Sequence, residues 1–177
     1  VVVGAAGQHV PAALHERIKF AHIHLGLGVG ANDVELVLRS LASLPLRYAA
    51  QDQAGRELAT WMASRPEVAQ VLHPALQGSP GHAHWQACCS GAAGLFSVQL
   101  QPRYSQQQAH AFVDALKLFR IGYSWAGPMS LVVPYQIAAM REPGHGLAGQ
   151  LVRFSMGLEA VADLKADLAQ ALSKALA

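Results

Sequence analysis

Apolar and polar residues alternate along residues 151–156, in the pattern of a strand that is buried on one face. Successive side chains of a strand point to opposite faces, so Val152, Phe154 and Met156 fall on one side and Arg153 and Ser155 on the other. The pattern predicts a strand with one packing face and one face that carries hydrogen-bond donors. A single cation thus lies within an otherwise apolar segment.

Arg153 is the residue of this strand that most needs a partner. Its guanidinium stays charged and carries five N–H donors in a fixed fork, so a half-buried arginine is expected to face a carboxylate or a phosphate. The five residues before it, 148–152, include neither Asp nor Glu. A ligand-binding role, a structural ion pair with a distant acid and a snorkelling surface arginine all remain open at this point.

The first part of the chain changes from a strand pattern to a helical one. Residues 1–6 are rich in valine and predict a buried strand or one arm of a hairpin. Helical spacing of apolar residues then predicts a helix that begins at Pro11 and ends at the glycine-rich residues 26–30. We interpret those glycines as a turn rather than a dinucleotide-binding loop, because a helix precedes them.

Two further helices are predicted before the first strand of the next region. Asn32 or Asp33 is expected to cap the earlier of them, which carries an apolar stripe. Pro45 is expected to separate it from a helix over residues 46–64, which Pro66 ends.

Strand and helix patterns follow one another from residue 67 onward. The predicted strands cover residues 68–72, 94–100 and 121–125, followed by the strand around Arg153. Residues 77–83 predict a loop because of their glycines and proline. Helices are expected from Ser105 to about residue 119 and again from Glu159. Helices over one face of a small sheet form an α+β layer.

Composition and charge narrow the class of protein. The 177 residues are 52% hydrophobic and 14% charged, which indicates a globular domain somewhat more apolar than usual. A formal net charge of +2 with dispersed basic residues argues against nucleic-acid binding, and the apolar runs are too short to cross a membrane. The adjacent Cys88 and Cys89 favour a reduced, cytosolic compartment, and the start without an initiating Met suggests a fragment or a processed chain.

Nine histidines make a metal site one hypothesis, chiefly through His22, His24, His82 and His84 with the two cysteines. Structural zinc sites usually pair their ligands in two separated knuckles, whereas this chain has one irregular cluster, so we predict no metal site. The sequence also lacks a Gly-x-Ser-x-Gly motif, and neither cysteine lies in an activating motif, so no catalytic nucleophile is predicted.

Tyr123-Ser124-Trp125 and the small residues that follow form a second candidate site. Hydroxyls, an indole and flexible residues gather there at a predicted strand end, where binding sites are commonly built. The two aromatic residues would equally suit a packed core.

These segments together resemble the carboxy-terminal part of the pyridoxal-phosphate enzymes of cysteine and methionine metabolism. Each segment is short, and the resemblance depends on their shared order and spacing over nearly all 177 residues. Tyr123-Ser124-Trp125 is one matching motif, and Gly157-Leu158-Glu159 is another. The matching stretches are residues 38–41, 67–76, 81–82 with Trp85, 94–97, 123–125 and 151–159.

The resemblance implies a role for each of the candidate residues. Arg153 would bind the α-carboxylate of the substrate, and Tyr123, Ser124 and Trp125 would line the same pocket. Met129 stands where many relatives carry a glutamate, which leaves the identity of the substrate open.

The resemblance also implies the architecture and the cofactor. It indicates a fold-type I enzyme of the α/β class, with residues 1–45 as the tail of the cofactor-binding large domain and residues 46–177 as an α+β small domain. Pyridoxal 5′-phosphate is the implied cofactor, and its Schiff-base lysine is expected upstream of Val1, because the lysines of this chain lie outside the matching motif. They are Lys19, Lys117, Lys165 and Lys174.

The implied activity is a β-elimination that cleaves a carbon–sulfur bond of cystathionine or a related sulfur amino acid, in methionine biosynthesis. The Tyr-Ser-Trp motif resembles the β-lyases more than the γ-synthases or γ-lyases. The implied assembly is a cytoplasmic homotetramer, a dimer of dimers that includes the amino-terminal part, with no nucleic-acid or membrane partner. A non-catalytic assembly module or a metal-binding module is the alternative from another functional class.

Overall fold

The computed structural model describes residues 11–142 and 149–176, except for the side chains of residues 138 and 139. The strand expected over residues 1–6 lies outside the described residues. The chain consists of two compact units, Val1–Ser43 and Leu44–Ala177. The assignment of residues 1–45 and 46–177 to two domains of a larger enzyme stays a prediction.

The first unit contains the helices α1 (Ala12–His24) and α2 (Ala31–Ala42). Gly26, whose positive φ of 63° suits a glycine, makes the turn that the sequence predicted after α1. The expectation that Asn32 or Asp33 caps α2 is wrong, since Gly30 is the N-cap in an extended conformation and both residues lie within the first turn. The described side chains of both helices are exposed.

The second unit is a five-stranded sheet with three long helices packed on one face. The strand order is β1-β2-β5-β4-β3, and the neighbours are antiparallel except for β3 and β4, which are parallel. The strands are β1 (Val68–Leu72), β2 (Leu95–Leu100), β3 (Arg120–Ile121), β4 (Leu131–Tyr135) and β5 (Leu151–Ser155). The helices are α3 (Leu44–Ala63), α4 (His82–Cys88), α5 (Gln106–Ala115), α6 (Ile137–Met140) and α7 (Val161–Ala175).

The core lies between the sheet and helices α3, α5 and α7. Phe154 of β5 is fully buried at its centre and stacks on Phe96 of β2, with 5.3 Å between ring centroids. Phe112 and Phe119 meet the same ring edge-on, a geometry that aromatic quadrupoles favour. These four rings hold the central strand against the helix layer.

The predicted packing face around β5 is confirmed, because Val152, Phe154 and Met156 are each at most 1% exposed. On the opposite face Arg153 lies between Ser97 of β2 and Val133 of β4. The strand register therefore places the cation in the middle of the sheet, on the side away from the helix layer.

Two predictions fail near the candidate site. The strand expected over residues 121–125 is reduced to β3, which ends at Ile121, and the chain then leaves the sheet. Strand β4, which the sequence patterns did not predict, lies beside β5 instead. Within the described chain, β3 pairs only with Leu131 and Val132, so Pro134 and Tyr135 of β4 are paired on the β5 side alone.

Several helix boundaries also differ from the prediction. Pro45 lies in the first turn of α3 rather than before it, a position where the missing N–H removes no helical hydrogen bond. Helix α4 begins at His82, inside the predicted loop. Helix α5 starts at the predicted Ser105, which forms a capping box, but it ends early because Leu116 is extended. Helix α7 begins two residues after Glu159.

Asp167 of α7 ties that helix to the chain segment after α5. Its carboxylate accepts hydrogen bonds from the backbone N–H of Lys117 at 2.9 and 3.0 Å, and from that of Leu118 at 2.8 Å. The residue is only 5% exposed, so these N–H groups would lose their acceptor in a buried setting if the carboxylate were removed.

We expect Asp167→Ala to destabilise the second unit by about 2–4 kcal/mol, because two backbone N–H groups lose a charged acceptor. Urea denaturation followed by circular dichroism measures the effect. Asp114→Ala is the matched control, since Asp114 is an exposed acid on α5 and its removal should change stability by less than about 0.5 kcal/mol. Equal stability of the two variants would contradict the assigned role of Asp167.

Candidate functional site

Arg153 is held by backbone oxygens of the loop that follows β3. Its Nη2 atom donates to the carbonyl oxygens of Gly122 at 3.3 Å, Tyr123 at 2.8 Å and Ser124 at 3.2 Å. The guanidinium carbon also lies 5.8 Å from the ring centroid of Tyr135, within cation–π range. The loop and the arginine therefore fix each other on the open face of the sheet.

The positive charge of Arg153 has no carboxylate partner among the described residues. The ion pairs in that part of the chain involve Lys19, Arg39, Arg56 and Arg65. Carbonyl dipoles orient a guanidinium but do not neutralise it. The alternative of a structural ion pair is thus not supported over residues 11–142 and 149–176, and the charge remains free to attract an anion.

The Nε atom of Arg153 is buried without a hydrogen-bond partner. An unpaired buried donor costs about 1–3 kcal/mol of stability. Arg65 Nε, Glu67 Oε2 and His73 Nε2 are in the same state among the described residues, so the unpaired Nε does not by itself mark a functional site.

The structure brings the predicted residues Tyr123 and Ser124 against Arg153, but through their backbone carbonyl groups. The side chains of Tyr123 and Trp125 are 71% and 61% exposed, so neither aromatic residue is a core residue. Tyr123 also meets Tyr135 edge-on, with 6.3 Å between ring centroids. These residues therefore form a surface patch around the arginine.

A hydrogen-bond network fastens the following loop to the end of β5. Glu159 accepts from the backbone N–H and the hydroxyl of Ser130, both at 2.8 Å, and the Ser130 Oγ accepts from the N–H of Gly157 at 2.8 Å. The N–H of Leu158 donates to the carbonyl of Pro128 at 2.8 Å. A Cβ atom on Gly157 would collide with that carbonyl, so the close approach requires glycine.

A cavity of about 220 Å³ lies between the first turns of α3, the start of β2 and the end of β5. Ser155, which shares a strand face with Arg153, lines it together with Trp125 and Ala126. Gln51 of α3 borders the cavity and donates to the carbonyl of Gly127 at 2.9 Å, which ties α3 to the loop. The other lining residues are Leu44, Arg47, Tyr48, Ala93, Gly94, Leu95 and Met156.

A second polar cluster lies where α3 meets the chain before β2. Asp52 forms an ion pair with Arg56 at 2.8 Å and accepts from the N–H of Ala92 at 2.6 Å. His73, which is fully buried, accepts at Nδ1 from the N–H of Ala75 at 3.2 Å, and its Nε2 has no partner among the described residues. Arg56 and Asp52 both act electrostatically on His73.

These neighbours shift two pKa values. Burial is the largest single influence on the Asp52 carboxyl and raises its pKa. The hydrogen bonds from Arg56 and Ala92, together with the charges of Arg56 and His73, outweigh burial, so the pKa of Asp52 lies below its ordinary value. Burial also dominates at His73, where it lowers the pKa, and the charge of Arg56 acts in the same direction against that of Asp52. His73 is therefore neutral at pH 7.

The histidines that suggested a metal site are dispersed. His24 Nδ1 lies 2.9 Å from the carbonyl oxygen of Phe20, and His82 Nδ1 lies 2.8 Å from that of Pro74. Over the described ranges, no three histidine, cysteine or acidic side chains are placed to hold a metal ion. Cys88 is exposed and is a free thiol, as is its neighbour.

Comparison of the sequence with known proteins identifies its family. The sequence model of the family described as Cys/Met metabolism PLP-dependent enzyme matches residues 1–173. The chain belongs to this family. The family is pyridoxal-phosphate-dependent, in agreement with the resemblance that the motifs indicated.

Curated relatives of the chain are 30–43% identical to it over the residues compared. The cystathionine beta-lyase of Bordetella avium is 43% identical over 166 residues, which are 92% of this chain and 41% of that protein. The cystathionine beta-lyase of Salmonella typhimurium is 39% identical over 154 residues, or 85% and 39% of the two chains. This chain spans about two fifths of the length of these relatives.

Solved structures of the family share the fold. The cystathionine gamma synthase from Xanthomonas oryzae pv. oryzae, in complex with aminoacrylate and cysteine, superposes with a TM-score of 0.81 at 29% identity and covers 93% of this chain and 43% of its own. Apo CalE6, a methionine gamma lyase from Micromonospora echinospora, gives 0.79 at 30% identity, covering 93% and 44%. The predicted fold class, fold-type I, is confirmed by these neighbours.

None of the described lysines of the second unit lines the cavity beside Trp125. Lys165 lies on α7 with its ammonium 5.8 Å from the ring centroid of Trp61, on the helix side of the sheet. Lys117 is exposed in the segment after α5, and Lys174 is exposed near the end of α7. The position of the Schiff-base lysine upstream of Val1 stays a prediction.

Sequence patterns missed several residues of the site. The sequence does not indicate Tyr135 as a site residue, because its segment is not predicted to be a strand. The only signal is that valine and tyrosine are common in strands. The sequence does not indicate the pairing of Ser130 with Glu159, and its only signal is an isolated acid two residues after Gly157, beyond the end of β5. His73 and Asp52 carried no pattern that would join them.

The described residues contain no helix with the length and apolar character needed to cross a bilayer.

The buried His73 should make stability depend on pH. Because its pKa is lower in the folded chain than the ordinary 6.5, the unfolded chain binds more protons once the pH falls below about 6.5, and folding stability falls with it. The slope reaches at most about 1.4 kcal/mol per pH unit. Thermal melts at pH 7 and pH 5 should therefore show a larger loss for the wild type than for His73→Gln.

His110→Gln provides the matched control, because His110 is exposed on α5. It should keep the pH dependence of the wild type. If His73→Gln kept it as well, the titration of His73 would not contribute.

Proposed function

We propose that the parent protein is a pyridoxal-phosphate-dependent carbon–sulfur lyase that performs β-elimination on cystathionine or a related sulfur amino acid. The observation that carries the proposal is the charge of Arg153, which is oriented by three carbonyl oxygens and not neutralised by any described acid. The similarity to cystathionine beta-lyases of two bacteria supports this reaction over others in the family. Met129, 58% exposed beside the loop, leaves the exact sulfur amino acid open.

In this proposal Arg153 binds the α-carboxylate of the substrate. A guanidinium donates charge-assisted hydrogen bonds to a carboxylate from a planar, fixed set of N–H groups. Because the Nη2 atom donates to the carbonyl groups of Tyr123 and Ser124 and Nε is buried, the N–H groups of Nη1 are left to donate to the carboxylate, and they are oriented before the substrate arrives. Fixing the carboxylate fixes the direction of the Cα–H bond, which is what an elimination at Cα and Cβ requires.

The cavity beside Trp125 is proposed to take the rest of the substrate. The Cα atoms of Arg153 and Ser155 are about 7 Å apart along one face of β5, so a substrate held by the arginine can extend toward the cavity that Ser155 lines. Leu95 and Met156 give the cavity an apolar wall that suits a thioether.

The bound cofactor supplies the electron sink for the reaction. The residues described here bind and orient the substrate, and none of them is assigned the transfer of the Cα proton. We take the parent protein to be a cytoplasmic homotetramer in methionine biosynthesis, as the resemblance implies. The exposed apolar side chains of α1 and α2 support a contact with further protein surface.

A spectroscopic experiment separates this proposal from a non-catalytic module. A chain extended upstream of Val1 should show the absorbance of bound pyridoxal phosphate and should release a thiol from cystathionine. A chain with neither property would rule out the lyase and favour an assembly module.

Arg153→Lys in the parent enzyme should lower kcat/KM, with a loss of transition-state stabilisation of roughly 2–4 kcal/mol. The ammonium keeps the charge but loses the planar arrangement of N–H donors. Steady-state kinetics with cystathionine measures the loss, and a thermal melt beside it should change little, since an ammonium still donates to the loop carbonyls.

Arg120→Lys is the matched control, because Arg120 is an exposed arginine of the same sheet. Its kcat/KM should stay at the wild-type level. Should Arg153→Lys behave like this control, Arg153 would not belong to the substrate site.

Residues 1–177 by themselves should show no lyase turnover, even with added pyridoxal phosphate, because the resemblance places the Schiff-base lysine upstream of Val1 and no lysine lines the cavity over the described residues. Thiol release from cystathionine at high protein concentration is the measurement. Turnover above a sample without protein would mean that this chain contains its own cofactor anchor.

A further inference from the structure

Two adjacent thiols lie outside the site described above. Cys88 is the last residue of α4 and Cys89 is its C-cap, and both are exposed and free. Both lie where the connection from α4 to β2 begins. Neither residue takes part in the proposed lyase reaction.

The backbone around the two thiols is fixed by hydrogen bonds. The N–H of Cys89 donates to the carbonyl of Trp85 at 2.8 Å, and the indole Nε1 of Trp85 donates to the carbonyl of Gly91 at 3.0 Å. Asp52 holds the next residue, Ala92, through its N–H at 2.6 Å. A ligand that binds both thiols therefore does not have to order the loop, which lowers the entropy cost of binding.

Adjacency disfavours a direct disulfide between the two sulfur atoms. Consecutive Cα atoms are about 3.8 Å apart, whereas ordinary disulfides join Cα atoms about 4.4–6.8 Å apart. A ligand atom inserted between the sulfur atoms lengthens the bridge and removes this strain. The pair is thus better suited to a chelated atom than to oxidation.

The residues around the two thiols determine which kind of atom the pair can chelate. Zinc requires four ligands in a tetrahedral site, and the described residues place no third histidine, cysteine or acid beside the pair. The fitting ligand is a soft atom that needs two thiolates and brings its own third substituent. A trivalent organoarsenical has this chemistry.

We propose that Cys88 and Cys89 form a dithiol site for trivalent organoarsenicals. With an arsine oxide, both S–H bonds and the arsenic–oxygen bond break, two arsenic–sulfur bonds form, and the oxygen leaves as water with the two thiol protons. Arsenic stays trivalent, so no oxidant or reductant is needed. The site does not depend on the proposed lyase function.

The test uses the 177-residue chain and phenylarsine oxide. Native mass spectrometry after washing with excess 2-mercaptoethanol should show one arsenic per chain, and 2,3-dimercaptopropanol should remove it. A monothiol cannot compete with two linked sulfurs, because the second bond forms at a high effective concentration. Loss of the arsenic in the monothiol wash would overturn the proposal.

Cys88→Ser and Cys89→Ser should each bind phenylarsine oxide about a hundredfold more weakly or worse, since each leaves one thiol. Both side chains are exposed, so circular dichroism should match the wild type. Blocking the wild type with N-ethylmaleimide should give the same loss without any substitution. Wild-type retention of arsenic in either variant, or in the blocked protein, would show that the pair is not the site.

Discussion

The pairing of β5 with strands on both sides is the constraint on which the rest of the second unit depends. Because β2 and β4 flank it, β5 cannot shift by one residue without exchanging its two faces. The register that buries Phe154 among three other phenylalanine rings is the same register that turns Arg153 to the open face. Core and candidate site are therefore specified by a single alignment of strands.

The way in which Arg153 is held matters as much as where it lies. An acid partner would have fixed the guanidinium but would also have cancelled most of its charge. Carbonyl oxygens fix it and leave the charge in place, at the cost of one buried N–H on Nε without an acceptor. The loop that supplies those carbonyls is itself fastened by Ser130 and Glu159, so the orientation of the arginine depends on residues that do not touch it.

The alternation of apolar and polar residues was enough to predict β5 and the faces on which Arg153 and Phe154 lie. The serine at position 105 was enough to predict the start of α5. Sequence patterns failed at β4, because Leu-Val-Val-Pro-Tyr neither alternates nor avoids proline and becomes a strand only by pairing with β5. They failed also at residues 123–125, where aromatic residues suggested a strand but the backbone turns to offer its carbonyls to Arg153. Any residue type can supply a backbone carbonyl, so the sequence could not predict which residues would hold the arginine. The role proposed for Arg153 comes instead from the shared order of the family's motifs.

Pro134 has a consequence for how the molecule behaves in solution. Beyond the two residues that pair with β3, the outer side of β4 is a free edge in the described structure, and free edges invite strands from other molecules. Proline has no N–H to offer to an incoming strand, so it interrupts the row of donors at this point. The sheet can thus leave the neighbourhood of Tyr135 uncovered without becoming a template for edge-to-edge aggregation.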